Sequence, residues 1–268
     1  MTRRVAVSGA GGLLGRALTR LLTERGDEVL PLPRGAQVPP GTELVFHLAA
    51  QTTVPAARED PIGTFESNVA LAWRTLSGAP RAVFASSDQV YGPRAPAPTR
   101  EDAPLDPDGP YAASKAAADL LARQLPGVVV ARLANLYGPG DAQTSRLVPG
   151  TIAAVRAGEA PVIRGDGTAA RDMLFVDDAA HALLALADGG TPGEAYNVGT
   201  GRATSVREVV DAVLAVAASD LEPHVLGGAP QGEGGRRALD VAKIASVVGW
   251  TPATSLAEGL RRTWDAAG

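Results

Sequence analysis

The stretch of sequence that decides the fold is Arg4-Val5-Ala6-Val7-Ser8-Gly9-Ala10-Gly11-Gly12-Leu13-Leu14-Gly15. Its first five residues predict a strand, and leucines at helical spacing follow the last glycine. Between them, Gly9 permits a tight turn, Gly12 lets the backbone approach a pyrophosphate, and Gly15 lets helix and strand pack closely. A helix N-terminus also offers free N–H groups to phosphates. The stretch therefore predicts a dinucleotide-binding turn, with a purely structural turn as the alternative.

Strands and helices alternate through the N-terminal half of the chain. A helix is predicted from Leu13 to Arg25, and Gly26 ends it. Further strands are predicted at Glu28–Leu32, Leu44–Leu48, Arg81–Ser86 and Val128–Leu133, and further helices at Pro61–Ser77 and Tyr111–Leu125. Because parallel strands separated by helices pair through right-handed crossovers, the expected fold class is α/β with a doubly wound parallel sheet.

The second half of the chain is less regular. Its predicted strands are Met173–Val176 and Ala195–Val198, and its predicted helices are Asp177–Leu186, Ser205–Ala217 and Leu256–Trp264. We expect residues 1–140 to form a dinucleotide-binding domain, to which residues from about 172 to 200 return. Residues 141–268 are expected to form mainly a smaller α/β cap that binds substrate. The Gly/Pro-rich segment 227–235 is interpreted as a lid or as a linker.

The composition excludes several kinds of protein. The chain has 268 residues, 45% of them hydrophobic, which is enough to bury a sizeable core. A net charge of −4 argues against nucleic-acid binding, which usually needs a basic face. The chain has no cysteine for disulfides or thiolate metal sites, and its 3 histidines show no zinc-ligand spacing. We expect no metal, no signal peptide, no membrane span and a cytoplasmic location.

Tyr111 and Lys115 form a candidate catalytic pair. They stand four residues apart at the start of a predicted helix, so their side chains share one face. An ammonium group beside a phenol lowers the pKa of the phenol, which can then exchange a proton near neutral pH. Ser86-Ser87 lie upstream of this pair, at the end of a predicted strand. Together with the glycine turn, these residues predict a nicotinamide-dependent enzyme.

A longer series of motifs occurs in order along the chain. The series consists of Gly9/Gly12/Gly15, His47-Leu48-Ala49-Ala50, Ser86-Ser87-Asp88-Gln89-Val90-Tyr91-Gly92, Tyr111-x-x-x-Lys115, Arg132-Leu133-Ala134-Asn135-Leu136-Tyr137-Gly138-Pro139-Gly140, Arg171-Asp172-Met173, Tyr196-Asn197-Val198-Gly199 and Val248-Gly249-Trp250-Thr251-Pro252. It resembles the extended short-chain dehydrogenase/reductase family, in its nucleotide-sugar epimerase/dehydratase branch. The resemblance covers nearly the whole chain. It implies a Rossmann-type sheet with a C-terminal substrate-binding cap, an NAD or NADP cofactor and a nucleotide-sugar substrate.

The resemblance also implies roles for individual residues. Ser87 would hydrogen-bond the substrate oxygen, Tyr111 would move its proton, and Lys115 would hold the nicotinamide ribose and acidify Tyr111. The implied catalytic residues are Ser87, Asp88, Tyr111 and Lys115. The implied cofactor-binding residues are Gly9, Gly12, Leu13, Leu14, Gly15, Arg34, Leu48, Ala49, Ala50, Asn68, Ser86, Tyr111 and Lys115. The implied substrate-binding residues are Gln51, Ser87, Asp88, Gln89, Asn135, Arg171 and Arg236, with Arg171 at the diphosphate.

For four residues in or near these motifs, a purely structural role is also possible or is expected. Ser87 can also be a turn residue at the strand end, and Arg171 can be part of a solvated ion pair. Tyr91 is expected to pack beneath the site and not to react. His47 is expected to be a structural hydrogen-bonding residue and not a base.

The chain departs from the family pattern in three places. The second strand ends in Leu32-Pro33-Arg34-Gly35, without the acid that binds the ribose 2′-hydroxyl of NAD, and Arg34 favours the 2′-phosphate of NADP. The segment between Arg34 and Leu44 is too short for the strand and helix usually inserted there. Pro230 stands where a second phosphate-binding arginine is expected, and Arg236 or Arg237 is the expected substitute.

The sequence favours one of the reactions known in this family over the others. In 4,6-dehydratases of the family an Asp-Glu pair follows the Ser/Thr, whereas this chain has Asp88-Gln89. An amide cannot serve as the base, so dehydration is disfavoured. A sugar-nucleotide 4-epimerase is the first expectation, and an NADPH-dependent 4-ketoreductase is the alternative. A sensor that binds NAD(P) without turnover is the expectation from a different class.

The resemblance further implies a homodimer through helices 61–77 and 111–125. In the second of these helices, a group of alanines is expected to leave a smooth surface for close helix approach. The group consists of Ala112, Ala113, Ala116, Ala117 and Ala118. Leu71 and Trp73 are expected to supply apolar area on the first helix. The alternative is that these alanines pack on the sheet within one subunit.

Overall fold

The computed structural model describes residues 2–228 and 235–268. The predicted lid or linker at 227–235 therefore falls largely outside the described residues. In chain order the strands are β1 (Arg4–Ser8), β2 (Glu28–Leu32), β3 (Leu44–His47), β4 (Ala82–Ser87), β5 (Val128–Leu133), β6 (Asn135–Tyr137), β7 (Val162–Ile163), β8 (Ala170–Phe175), β9 (Ala195–Val198), β10 (Ala203–Ser205) and β11 (His224–Val225). The helices are α1 (Leu13–Glu24), α2 (Val54–Glu59), α3 (Pro61–Phe65), α4 (Leu71–Ser77), α5 (Gly109–Ala122), α6 (Leu147–Arg156), α7 (Val176–Gly189), α8 (Val206–Val216), α9 (Ala242–Val248) and α10 (Leu256–Ala266). A π-helical turn at Glu66–Ala70 joins α3 to α4, and a 3-10 turn at Asp88–Tyr91 follows β4.

A six-stranded sheet in the order β2-β1-β3-β4-β5-β9 forms the centre of the molecule. Its neighbouring strands all pair in parallel. Side chains alternate between its two faces, so Val7 packs with Leu18 and Leu183 on one face while Ala6 packs with Phe84 on the other. This arrangement confirms the predicted α/β fold class, because helices cover both faces of a parallel sheet.

The strand order reverses between β1 and β3, which places the ligand crevice of such a sheet at their carboxyl ends. The chain passes from β2 to β3 through residues 33–43 without a strand or helix. This confirms the predicted omission of one strand and one helix, and it leaves β2 at the edge of the sheet.

A smaller unit lies beside the sheet. A three-stranded sheet (β10-β8-β6), a pair of strands (β11-β7) and the helices α6, α8 and α10 make it up. Its core contains Tyr137, Ile152, Phe175, Val210 and Leu260. Of the segment predicted to return to the large sheet, β9 pairs with β5 and α7 packs on the large core, while β8 belongs to the small sheet. The division of the chain into domains stays a prediction.

Several helices differ from the sequence prediction. The predicted helix Pro61–Ser77 is interrupted by the π-helical turn, and α2, α6 and α9 were missed. Helix α6 contains Pro149 and Gly150 in its first turn, two residues that reduce helix propensity. In the described ranges, no helix has both the length and the apolar character that crossing a bilayer requires.

Candidate active site

The loop between β1 and α1 is a close-fitting cradle built on glycines. A Cβ on Gly15 would lie 2.1 Å from the Gly9 carbonyl oxygen. Gly9 has a positive φ of +74°, and a Cβ on Gly9 would lie 2.8 Å from the Ala49 nitrogen. A Cβ on Gly12 would lie 3.3 Å from the same carbonyl oxygen. No side chain caps the N-terminus of α1, so the N–H groups of Leu13, Leu14 and Gly15 are free to donate hydrogen bonds to phosphates. The residues present therefore fit the pyrophosphate of a dinucleotide.

A cleft of about 290 Å³ continues from this cradle. It lies at the carboxyl ends of β1, β2 and β3, where the strand order reverses. Its lining consists of Ser8, Gly9, Leu32, Pro33, Arg34, Gly35, His47, Ala49, Ala50, Ser67, Leu71 and Thr75. Arg34 stands exposed at the end of β2, so its guanidinium is accessible to a group on a ribose held in the cleft. The cleft fits the adenosine half of NAD(P).

His47 supports this cleft from below. Its Nδ1 lies 3.0 Å from the Ser8 hydroxyl, and that hydroxyl also accepts hydrogen bonds from the N–H groups of Leu48 and Ala49 at 3.2 Å. Burial, with help from the charge of Lys115, lowers the pKa of His47 to about 3. The ring is therefore neutral and structural, as the sequence indicates. The sequence analysis did not identify Ser8 as a residue of the site, although its position between the strand and the glycine turn could have indicated this role.

Ser87, Tyr111 and Lys115 come together at the carboxyl end of β4. Tyr111 and Lys115 share one face of α5, and all three side chains are buried. The Ser87 hydroxyl lies close enough to Tyr111 to act on the pKa of its phenol. Burial raises the pKa of Tyr111 to about 12, although the Ser87 hydroxyl and the charge of Arg146 oppose this shift. The expected lowering of the phenol pKa is therefore wrong for the chain as it stands, because burial outweighs the favourable contacts.

Lys115 is fixed against the sheet. Its Nζ donates to the Ala85 carbonyl oxygen at 2.5 Å and lies 4.5 Å from the centre of the Phe84 ring. Burial lowers the pKa of Lys115 to about 8, and Asp119, one helical turn further along α5, opposes that shift. The Lys115 ammonium is therefore held against β4, near the end of the strand that carries Ser87.

Asn68 holds the loop that follows β3. It lies on the π-helical turn and is 1% exposed. Its Oδ1 accepts from Gln51 N at 2.7 Å, and its Nδ2 donates to Gln51 O and to Ser114 Oγ, both at 3.0 Å. The amide is thus engaged within the protein, so Asn68 positions Gln51 beside the cleft and α5.

A buried polar network lies beneath the catalytic residues. Ser86, implied above as a cofactor ligand, turns its hydroxyl to Asp119 Oδ2 at 2.8 Å. Asp119 also receives two hydrogen bonds of 2.9 Å from Arg132, and Arg132 donates to Tyr91 OH at 2.9 Å. Tyr91 OH donates in turn to Asn197 Oδ1 at 2.7 Å. The network ties β4, α5, β5 and β9 together, and it confirms that Tyr91 packs beneath the site.

Asp88 lies next to Ser87, at the start of the 3-10 turn that follows β4. It is 5% exposed, and its Oδ1 accepts a hydrogen bond from Ser87 Oγ at 3.3 Å. Burial raises the pKa of the Asp88 carboxyl, while Arg237 and Arg171 act in the opposite direction. Gln89 donates its backbone N–H to Ser87 Oγ at 3.2 Å, which fixes the 3-10 turn.

The remaining predicted substrate residues are spread along the smaller unit. Asn135 begins β6 and pairs with Met173 of β8, and Arg171 lies two residues before Met173 on the same strand. Arg236 is exposed and donates to the Ala203 carbonyl oxygen at 3.3 Å. The structure therefore directs Arg236 away from Asp88, and it is Arg237 whose charge acts on that carboxyl.

Arg146 is a functional candidate that the sequence reasoning missed. It precedes α6 and donates to Asp141 Oδ2 at 3.2 Å and to Thr52 Oγ1 at 3.4 Å, so it spans the cleft from the smaller unit to the loop after β3. Its charge lowers the pKa of Tyr111. Arg146 was not identified from the sequence because helix α6, which begins directly after it, was not predicted.

Comparisons with known proteins agree with this geometry. The model of the NAD dependent epimerase/dehydratase family matches residues 5–199. The chain is 35% identical to the UDP-glucose 4-epimerase of Mycolicibacterium smegmatis over 82% of this chain and 74% of that protein. It is 32% identical to the GDP-6-deoxy-D-mannose reductase of Pseudomonas aeruginosa over 97% of this chain and 96% of that protein.

A solved structure extends the likeness to three dimensions. The dTDP-glucose 4,6-dehydratase of Streptomyces venezuelae with NAD bound superposes with a TM-score of 0.87 and 27% identity, over 98% of this chain and 96% of that one. The glycine cradle, the Ser87/Tyr111/Lys115 cluster and these likenesses agree. The chain belongs to the NAD dependent epimerase/dehydratase family, in the extended short-chain dehydrogenase/reductase branch.

Proposed function

We propose that the protein transfers hydride at a carbon of a nucleotide sugar with NAD(P), and that it acts as a sugar-nucleotide 4-epimerase. The observation that carries the proposal is the meeting of Ser87, Tyr111 and Lys115 at the carboxyl edge of the sheet, beside a glycine cradle that fits a pyrophosphate. Similarity to enzymes named as epimerase, dehydratase and reductase supports the substrate class, while the choice among these reactions rests on the residues.

The proposed mechanism assigns proton handling to three side chains. Bound NAD(P) supplies the hydride acceptor and donor. The Ser87 hydroxyl orients the sugar oxygen, and Tyr111 takes the proton of that oxygen during oxidation and returns it during reduction. Lys115 provides a positive charge that favours the phenolate once it forms.

The chemistry beside Ser87 favours epimerisation over dehydration. A dehydratase needs an acid to expel a hydroxyl and a base at the neighbouring carbon. Asp88 can provide the acid, since burial raises the pKa of its carboxyl. Gln89 follows it, and an amide has no basic site near neutral pH. A 4-epimerase needs neither group, only reversible proton and hydride transfer.

A 4-ketoreductase is the second candidate, and Arg34 is the observation that favours it. Arg34 lines the adenosine cleft at the end of β2, where a guanidinium suits a 2′-phosphate. NADP that exchanges with solvent would suit a reductase, whereas NAD that stays bound would suit an epimerase.

The cofactor content of the purified protein tests the choice between these two functions. We expect denatured protein to release NAD in an amount close to that of the protein, together with interconversion of UDP-glucose and UDP-galactose. Protein that carries no nucleotide and binds NADPH in preference to NADH would instead support the reductase.

We also propose that the protein is a homodimer through α3, α4 and α5. Ile62, Phe65, Trp73, Leu120 and Leu121 are large apolar side chains that stand exposed on these helices. Exposed apolar patches of this kind often mark protein interfaces.

The alanine part of the earlier expectation is wrong for three of the five alanines, while Ala113 is exposed and Ala117 is half-buried. Ala112, Ala116 and Ala118 are buried within the subunit, and Ala118 packs on the sheet with Phe84. The proposed surface is therefore apolar and protruding, since the buried alanines are not available to a partner.

A further inference from the structure

Arg237 lies on a segment that runs alongside β8 into the active site. Ala170 and Arg236 form a parallel bridge, and Arg237 N donates to the Ala170 carbonyl oxygen at 3.0 Å. Leu239 N then donates to Asp172 Oδ2 at 3.2 Å. Successive side chains of an extended segment point to opposite sides. Arg236 accordingly reaches Ala203 on the exposed side, and Arg237 is directed to the other side.

Electrostatics places Arg237 near Asp88. Arg237 is the cation that lowers the Asp88 pKa most strongly, ahead of Arg171. Between described residues, however, no hydrogen bond or ion pair joins the two side chains. The charge of Arg237 therefore reaches Asp88 without a direct contact between the two side chains.

Each of these side chains holds a buried polar atom that lacks a partner. Asp88 Oδ2 and Arg237 Nε are buried and make no hydrogen bond to any described residue. Buried polar atoms in folded proteins are almost always paired, so an unpaired acceptor and an unpaired donor on two electrostatically coupled side chains indicate the group that a ligand would bring. A hydroxyl group can donate to the first and accept from the second.

We propose that Asp88 and Arg237 together bind one hydroxyl group of the sugar close to the reacting carbon, and thereby select the substrate. The inference rests on the proposed function. Its position follows from Ser87, which donates a hydrogen bond to Asp88 and lies close enough to Tyr111 to act on its phenol, and so places the carboxyl one group away from the reacting oxygen. A methyl or hydrogen in place of the hydroxyl leaves both polar atoms unpaired.

Binding of deoxygenated sugar nucleotides tests this proposal without any need for turnover. Isothermal titration with NAD present would compare UDP-glucose with its 3-deoxy and 6-deoxy analogues, which lack a hydroxyl on either side of the C4 centre. We expect wild type to bind one of the two analogues about 10- to 100-fold more weakly than UDP-glucose, as sites built around a hydroxyl do. Arg237→Met should lose this discrimination and bind UDP-glucose about as weakly as that analogue.

Arg236→Met is the matched control, since Arg236 is the neighbouring arginine on the exposed side. It should keep wild-type discrimination. Asp88→Asn gives a second measurement, because it should reduce the same discrimination by at least about 5-fold while thermal melting confirms that it folds. Wild-type discrimination in Arg237→Met, or an equal loss in Arg236→Met, overturns the inference. Failure of wild type to bind UDP-glucose, dTDP-glucose and GDP-mannose alike overturns the proposed function itself.

Discussion

Replacing Gly15 by alanine gives the sharpest test of the nucleotide cradle. Gly15 lies inside α1, where alanine is the better helix former by about 1 kcal/mol. Helix propensity alone therefore predicts that Gly15→Ala stabilises the protein. The structure predicts the opposite sign, because the new Cβ would stand 2.1 Å from Gly9 O, 2.7 Å from Ala10 Cα and 2.8 Å from Ala10 C, all of them backbone atoms.

The expected magnitude follows from the atoms that must move. No flexible side chain can yield, so α1 and the loop have to separate by about 1 Å, and overpacking of this kind typically costs about 1–3 kcal/mol. After the propensity gain, we expect a net loss of about 0–2 kcal/mol in the free energy of unfolding. Displacing the α1 N-terminus from the phosphates should also weaken NAD(P) binding by at least about 10-fold.

The chain offers a matched control in Gly11. It belongs to the same loop, has no positive φ, and a Cβ there would meet nothing within 4 Å. Denaturant unfolding and fluorescence titration with NADH and NADPH would be measured on both variants. A gain in stability together with wild-type affinity in Gly15→Ala would refute the packing argument, and an equal loss in Gly11→Ala would show that the loop resists any side chain.

Three further predictions concern proton transfer, cofactor choice and assembly. Tyr111→Phe should lower the turnover rate by about 10²- to 10⁴-fold while NAD(P) affinity is retained, and half of wild-type activity would remove Tyr111 from the mechanism. Arg34→Asp should weaken NADPH binding far more than NADH binding, and equal titration curves for the two would leave Arg34 as a surface charge. Leu120→Glu should convert a dimer to monomers in light scattering, whereas Val247→Glu, an exposed residue on α9, should not. A monomeric wild type would contradict the dimer proposal.

The sequence predicts the parts of this protein that depend on local patterns. The bounds of β1, β2, β5 and β9 agree with the prediction, because buried parallel strands are short apolar runs between turn residues. The spacing Gly9/Gly12/Gly15 identifies the cradle, since each glycine has a separate steric reason. The side-chain face shared by Tyr111 and Lys115 likewise follows from helix geometry alone.

Features that depend on distant parts of the chain were not predictable. Arg132 meets Asp119 only because β5 and α5 pack together, and Arg146 reaches Thr52 only across the cleft. The choice between Arg236 and Arg237 depends on which side of an extended segment faces Asp88, which the register with β8 decides. Burial raises the Tyr111 pKa, and burial of this side chain depends on distant parts of the chain.

The fate of deuterium in UDP-[4-²H]glucose tests the central claim most directly. The labelled sugar would be incubated with the protein and NAD in ordinary water, and the product examined by NMR. Because a 4-epimerase removes and returns the same hydride within one site, we predict UDP-galactose that retains deuterium at C4. Absence of any epimer would contradict the proposed 4-epimerase, and an epimer whose C4 has lost its deuterium to solvent would contradict hydride transfer within one site.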